Sequence, residues 1–504
     1  MASPEEGGPL PPQAGLLVRY LIPKDEGVPV ISETTLLQQY PAQVPVEAAA
    51  VAATRTERTP VLVVLDDDPT GTQSVADLPV LTSWAEEDLR WALATGAPAV
   101  YVLSNTRSLA PEDAAERNRE IVASALAAAR ALEVPVAFVS RGDSTLRGHF
   151  PLETDTITDA LDGAVDAVLL VPAFPDAGRV TIGGVHYMRG TDGLQPVAET
   201  EFARDSTFGY AHSDLREWVA EKTEGRWPAD RVVALGLATI RAGADAVAAV
   251  LAPLRGGVPV VVDAVTEDDL RLLALGLAQA EEAGLRVLYR VGPPFVRARI
   301  GQAVHPPLTA DEVFPSGSDA ADRTRGGLVV VGSHVGLTSR QLERLAASGS
   351  LRATLELDVD RAVDPERAPA HLAELVDEAV AALAEGDVAV HTSRSLRRTD
   401  DPQESLDISR RVSAAVVAVV RGVLARVRPR FVIAKGGITS SDVASKGLGI
   451  RRAIVRGPML PGLVSLWEPV EGPATGIPYI VFAGNVGDDE SLAQVAATLR
   501  APAL

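Results

Sequence analysis

Cysteine is absent from this 504-residue sequence. Its absence excludes disulfides, thiolate catalysis and zinc–thiolate centres, and makes a cytoplasmic location the expectation. Aromatic residues are only 4% of the chain, too few to stack successive bases of a single-stranded nucleic acid. Positive charge is also scarce. Against 67 Asp and Glu stand 47 Lys and Arg, a net charge of −20, which is the wrong sign for a general nucleic-acid surface. An anionic small molecule is still compatible, because a site needs only a few local arginines. No apolar run approaches the ~18 residues of a membrane helix. The opening stretch MASPEEGGPLPPQAG has neither a basic nor an apolar signal region, so neither a membrane partner nor a signal peptide is expected.

Missing motifs narrow the chemistry further. There is no G-x-x-x-x-G-K-S/T phosphate loop and no G-x-G-x-x-G dinucleotide fingerprint; GLGIRR at 447–452 fails at its third glycine. Protein-kinase signatures, the G-x-S-x-G elbow and H-x-x-x-H zinc spacing are absent too.

What is present reads as α/β. Residues 1–58 are Pro-rich and look like an N-terminal extension, with Ile31–Leu37 as a short element packed on the body. From Pro60 onward, short β-branched runs alternate with Ala-rich helical stretches. Val61–Leu65, Ala99–Leu103, Val134–Val139, Ala167–Val171, Val232–Leu235 and Val258–Asp263 are expected strands, with helices over Pro111–Leu132 and Glu267–Ala283. Residues 301–327 break the rhythm and read as a linker or exposed loop. Then Leu328–Val331, Val388–His391, Phe431–Ala434, Ala453–Val455 and Tyr479–Phe482 resume it. A helix is expected over Leu406–Val427, and another from Thr338, which with Gln341 has the capping-box spacing. The expected architecture is therefore two α/β domains, 59–300 and 328–504, with largely parallel sheets and a cleft between them.

Ligands of open α/β sheets bind beyond the C-terminal ends of the strands. In the first domain those ends carry LDDDPTGTQ (65–73), SNTRS (104–108), SRGDSTLRGHF (140–150) and VPAFPDAGRVTIGG (171–184). Carboxylates followed by a Gly turn suit a hydroxyl or a metal, and one of them can accept a proton from an attacking alcohol. Arg107 and Arg147 are candidate forks for a carboxylate. The chemistry of the last loop, which holds Arg179 and Thr181, stays ambiguous. Together the four loops describe a pocket for a small polyhydroxylated anion. In the second domain GSHVGLTS (332–339), KGGITSSD (435–442) and GNVGDDES (484–491) each sit between a strand and a helix. That arrangement offers backbone N–H groups to phosphate.

Taken together, these motifs resemble those of the four-carbon acid sugar kinase family. An Asp-Asp-x-Thr-Gly motif is matched by Asp67, Asp68, Thr70 and Gly71, and an Asp-Ser-Thr-x-Arg-Gly motif by Asp143, Ser144, Thr145, Arg147 and Gly148. Pro172, Ala173, Pro175, Gly178 and Arg179 match a third motif; Gly332 and Ser333, Gly436, Gly437 and Thr439, and Gly484 and Gly487 match the later loops. The chain departs from the family's usual pattern at Asp66, Pro69, Arg141, Gly142 and His149. The resemblance implies ATP-dependent phosphorylation of the terminal hydroxyl of threonate, erythronate, 3-oxo-tetronate or a close relative, with Mg²⁺ bridging the phosphates. ATP would contact Ser333, the Gly436–Gly437–Ile438–Thr439 loop and Gly487. The sugar acid would lie against Asp68, Thr70, Arg107, Ser144, Arg147 and Arg179. Asp67 is the first expectation for the catalytic carboxylate and Asp143 the second. No metal ligand is assigned, although Asp442 is a candidate to orient Mg²⁺ through water. A homodimer is the base-rate expectation. The alternatives are a non-catalytic sugar-acid sensor of the same fold and, less compatible with the missing fingerprint, an oxidoreductase.

Overall fold

The structure is a computed structural model and describes residues 31–315, 322–393 and 402–500. The first thirty residues of the expected extension lie outside them. Its later part does form the expected packed element: Ile31 bridges to Leu194, the short helix Glu33–Leu37 follows, and Glu33 pairs with Arg189.

The β-branched runs form strands buried over their full length, as sheet centres covered on both faces require. One sheet of fifteen strands runs through both halves of the chain. In the N-terminal half the parallel order is Ala99–Leu103, Val61–Asp66, Val136–Arg141, Val287–Val291, Ala167–Val171, Val258–Val262 and Val233–Leu235. In the C-terminal half Leu351–Leu357, Asp387–Thr392, Leu328–Val331, Val432–Lys435 and Tyr479–Phe482 are parallel neighbours. The antiparallel pair Leu463–Pro469 and Arg452–Leu460 continues this sheet, and Arg452–Leu460 pairs with Leu78–Leu81 of the N-terminal half. The two expected sheets are thus joined edge to edge. A separate three-stranded antiparallel sheet, Arg179–Ile182, Val185–Arg189 and Leu194–Pro196, carries the Arg179 loop.

Several strands have no clear sequence signal. Val287–Val291 sits in mid-sheet, but Arg290 interrupts its apolar run. Leu351–Leu357 is an edge strand whose burial alternates. The helices follow their apolar periodicity, with Pro111–Leu132 and Pro402–Leu424 close to expectation. The expected capping box at Thr338 does not form. Val335 is the N-cap of helix Gly336–Ala347, and Thr338 and Gln341 reach across to another loop instead.

The seam between the halves is closed by a buried relay. Trp467 Nε1 donates to Thr72 Oγ1 at 2.9 Å, and Thr72 Oγ1 lies 2.8 Å from Ser465 Oγ. All three side chains are buried, so each depends on the others for a polar partner. Thr72→Val keeps the shape and removes the shared oxygen. We expect it to lower stability by about 1–3 kcal/mol, measured as a shift of the urea midpoint with unchanged slope.

Candidate functional site

The strand Val61–Asp66 delivers three consecutive aspartates to the C-terminal edge of the sheet, each into a different environment. Asp66 is buried and paired with Arg141, which also donates to the backbone carbonyls of Asp68 and Gly142. Burial, with Asp67 and Asp68 adding to it, pushes the Asp66 carboxyl up to about 7 despite the opposing Arg141. Asp67 is also buried. Arg107 forks onto it, Nε to Oδ2 at 3.2 Å and Nη2 to Oδ1 at 2.7 Å, and Arg141 lies 3.3 Å away. Burial alone would raise its carboxyl; the two guanidiniums outweigh burial and hold it below the usual carboxylate range. Asp68 turns outward and caps the short helix Pro69–Ser74, accepting from the Thr70 N–H at 2.9 Å and from the Thr70 hydroxyl. Its side chain is 22% exposed and faces Arg107 at 3.7 Å.

The two departures Asp66 and Arg141 are therefore one feature. The planar fork of arginine spans a carboxylate and two carbonyls, which an ammonium would not. Gly71 closes over this pair, and a Cβ there would collide with both side chains.

The 143–147 loop forms the facing wall. Arg147 Nε donates to Asp143 Oδ2 at 2.7 Å and packs over the Phe202 ring at 4.9 Å. Burial would raise the Asp143 carboxyl; Arg107 and Arg147, together with hydrogen bonds from Arg147 and Thr145, hold it well below the usual range. Two buried groups support the loop from behind: His186 Nε2 bonds the Ser144 carbonyl at 2.8 Å, and the Tyr210 hydroxyl bonds the Thr145 carbonyl at 2.7 Å. Arg179 comes from the three-stranded sheet, donates to the Ala177 carbonyl, and lies within the field of Asp143 and Arg147. The first-domain residues singled out from the sequence thus gather at one sheet edge.

Two residues of this site, Arg290 and Glu153, are not singled out by the sequence. Arg290, from the unexpected strand Val287–Val291, pairs with buried Glu153 and donates to Ser140 Oγ at 2.8 Å. Side chains at Gly142 and Gly148 would overlap it. The only hint is an arginine inside an apolar run.

In the C-terminal half the three Gly-rich loops also converge. Gly332 faces Thr439 and Gly436 faces Ser333; Gly436 adopts a φ of 125° that admits no side chain without strain. Thr338 Oγ1 donates to the Gly484 carbonyl at 2.8 Å, and Gln341 Nε2 to those of Val486 and Asp488 at 3.1 and 2.6 Å. These two side chains set the path of the Gly487 loop. Beside the loops is a cavity of about 200 Å³. Val359, Ile408, Val412, Val416 and Ile438 supply apolar walls, and His334, Thr392, Ser409, Ser413 and Thr439 the polar points. The helix Pro402–Leu424 forms one wall, a role its apolar periodicity does not reveal.

The two clusters touch. The turn Pro69–Ser74 packs on the helix Gly437–Asp442, and a Cβ at Gly437 would lie 3.1 Å from Asp68 Oδ2.

Residues 62–299 match the family model described as a sugar-binding N-terminal domain, and residues 328–492 the model described as a nucleotide-binding C-terminal domain. The chain belongs to the four-carbon acid sugar kinase family. It is similar to the D-erythronate kinase of Heliobacterium modesticaldum, 32% identical over 53% of this chain and 54% of that one. It is also similar to D-threonate kinases of Cupriavidus necator, 35% identical over 35% and 38%, and Bordetella bronchiseptica, 28% identical over 88% and 98%. The first of these matches thus takes in about half of its relative's length, and the second well under half. A solved structure from Salmonella typhimurium shares the fold, with a TM-score of 0.63 at 20% identity over 86% of this chain and 98% of that one. In this acid sugar kinase homologue, Asp67→Asn removes the charge that compensates Arg107 and Arg141. We expect a loss of about 3 kcal/mol in chemical denaturation, whereas Asp68→Asn stays within about 0.5 kcal/mol of wild type.

Proposed function

We propose that the protein transfers the γ-phosphoryl group of ATP to the terminal hydroxyl of a four-carbon sugar acid such as erythronate or threonate. The observation that carries this reading is the approach of Asp68 Oδ2 to Gly437, a carboxylate of the sugar-acid side set against the glycine loop of the nucleotide side. The named activities of the similar kinases support it.

The residues divide the work. Arg147 and Arg179 hold the substrate carboxylate, with Ser144 and Thr70 on its hydroxyls. The base sits in the cavity beside Ile438. Ser333, Gly436, Gly437, Thr439 and Gly487 surround the phosphates with backbone and hydroxyl donors. Asp67, its oxygens occupied by Arg107 and Arg141, is a poor proton acceptor and serves to orient Arg107. Asp143 is engaged in the same way by Arg147 and Thr145. Asp68 is the aspartate with an accessible oxygen, so it receives the hydroxyl proton. The alcohol oxygen bonds to the γ-phosphorus as the bond to the β–γ bridging oxygen breaks, and ADP leaves. Such a transfer depends mainly on positioning and charge neutralisation.

Mg²⁺, when bound with the nucleotide, would supply part of that neutralisation. Among the described residues no three carboxylate or imidazole groups are placed to hold a metal ion together. Asp442 is engaged by Lys446 at 2.7 Å and by Ser413. The donor set therefore suits an ion that arrives with the nucleotide and keeps phosphate and water ligands.

The test is a coupled ATP-to-ADP assay with Mg²⁺ across four- and five-carbon sugar acids. Turnover on one tetronate is expected, with kcat for Asp68→Asn lowered about 10²–10⁴-fold and the fold intact. Near-normal turnover of that variant would remove Asp68 as the acceptor. Absence of turnover on every acid would overturn the proposed reaction.

A further inference from the structure

Lys435 ends the strand Val432–Lys435 and directly precedes the Gly436–Gly437 loop. It is fully buried. Its Nζ donates to the Ala483 carbonyl at 2.6 Å and lies 3.8 Å from the centroid of the Phe482 ring. Alternation along the strand turns it to the face of Ile433, Ile480 and Phe482, beneath the helices Gly336–Ala347 and Ser491–Leu499. The polar side chains those helices bury at this end are Thr338, Gln341 and Ser491. Their charged residues turn outward: Arg340 pairs with Asp489, Arg344 pairs with Glu490, Glu343 is exposed, and Asp488 accepts from Ser491. The flanking strands Leu328–Val331 and Tyr479–Phe482 carry no charge. Among the described residues no carboxylate pairs with Lys435.

A buried ammonium without a counter-charge is costly, so a lysine at this position requires an explanation. Leucine or methionine would fill the space more cheaply. Burial pulls the Nζ group down to about 7. The missing negative charge has an evident source. The Gly332 N–H donates to the Lys435 carbonyl at 3.2 Å, the Gly436 N–H to the Phe482 carbonyl at 2.8 Å, and Ala483 leads directly into Gly484. Lys435 thus lies at the root of all three Gly-rich loops.

We propose that Lys435 is a positioning residue for nucleotide phosphates, held under the three loops and carrying its full positive charge only when the phosphates are bound. It anchors the 484–487 loop through Ala483 and neutralises phosphate charge from beneath, so nucleotide binding takes up a proton. This rests on the nucleotide reading of the same loops. The sign follows from linkage. Phosphates raise the lysine's pKa in the complex above its value in the free protein. The lysine's contribution to affinity is therefore largest below pH 7, falls as pH rises through the free value, and levels off above the bound one. A lysine pKa higher by one in the complex makes binding about tenfold tighter at the acid end than at the alkaline end.

The experiment is calorimetric binding of ADP to the full chain from pH 6 to 9, in buffers of different ionisation enthalpy. At pH 8 the nucleotide phosphates are already ionised, so the uptake reads the protein. The wild-type chain is expected to take up a substantial fraction of a proton at pH 8. Lys435→Met, whose side chain is close in length and suits the apolar surroundings, is expected to fold and to melt cooperatively although it loses the bond to Ala483. It should bind ADP about fivefold more weakly at pH 7, and show no uptake at pH 8 and no pH dependence above it. Wild-type binding without proton uptake overturns the proposal. Loss of affinity in Lys435→Met with uptake unchanged also overturns it and leaves a structural role. Absence of ADP binding by the wild-type chain overturns the nucleotide reading as well.

Discussion

The constraint on which the site depends is the compensation of buried carboxylates by arginine forks at the end of the strand Val61–Asp66. Asp66 and Asp67 lie inside the protein, where an isolated charge is not tolerated. Arg141 approaches from the end of one strand flanking Val61–Asp66 and Arg107 from the turn after the other, Arg141 fixing Asp66 and both contacting Asp67. Because Arg141 also binds the Asp68 carbonyl, the same network sets the direction in which the third aspartate leaves the strand. Gly71, Gly142 and Gly148 are small because the forks of Arg141 and Arg290 occupy the space their side chains would need.

That network would be of little use without the seam. Pairing of Leu78–Leu81 with Arg452–Leu460 makes one sheet of the two halves. The buried relay from Trp467 through Thr72 to Ser465 closes it next to the aspartates. The outcome is a fixed approach of the Asp68 carboxylate to the loop that begins at Gly436. The nucleotide side is organised differently, with loops of glycine and hydroxyl residues steered by Thr338 and Gln341 over an apolar floor that contains Lys435. Charge on the sugar side is abundant and already balanced. On the nucleotide side it is sparse.

Much of this is legible along the chain. The fully buried strands announce themselves as β-branched runs, and the loops that follow them as dense polar stretches where packing would favour apolar residues. Arg107, Asp143 and Arg147 stand out for that reason and meet in space. The individual roles are less legible. Asp67 and Asp68 are adjacent and chemically identical, yet one is enclosed by two guanidiniums and the other faces the opposite domain. Thr338 and Gln341 have the spacing of a local cap but serve a distant loop, because spacing along a helix does not show which neighbour is within reach. Arg290 and Leu351–Leu357 escape notice because a charged residue or an alternating edge strand weakens the apolar signal that marks a strand.

The sequence by itself determined the class of the molecule: an α/β chain without thiols, with dense polar loops after the strands of its first half and Gly-rich loops between strand and helix in its second. Those properties follow from local composition and period, which neighbouring residues express together. Only the tertiary structure decided which carboxylate is accessible, that the two sheets are one, and that a lysine at a strand end lies under three loops with no carboxylate beside it among the described residues. Burial and pairing depend on residues hundreds of positions apart, and a charged side chain takes its properties from what surrounds it rather than from what precedes it in the chain.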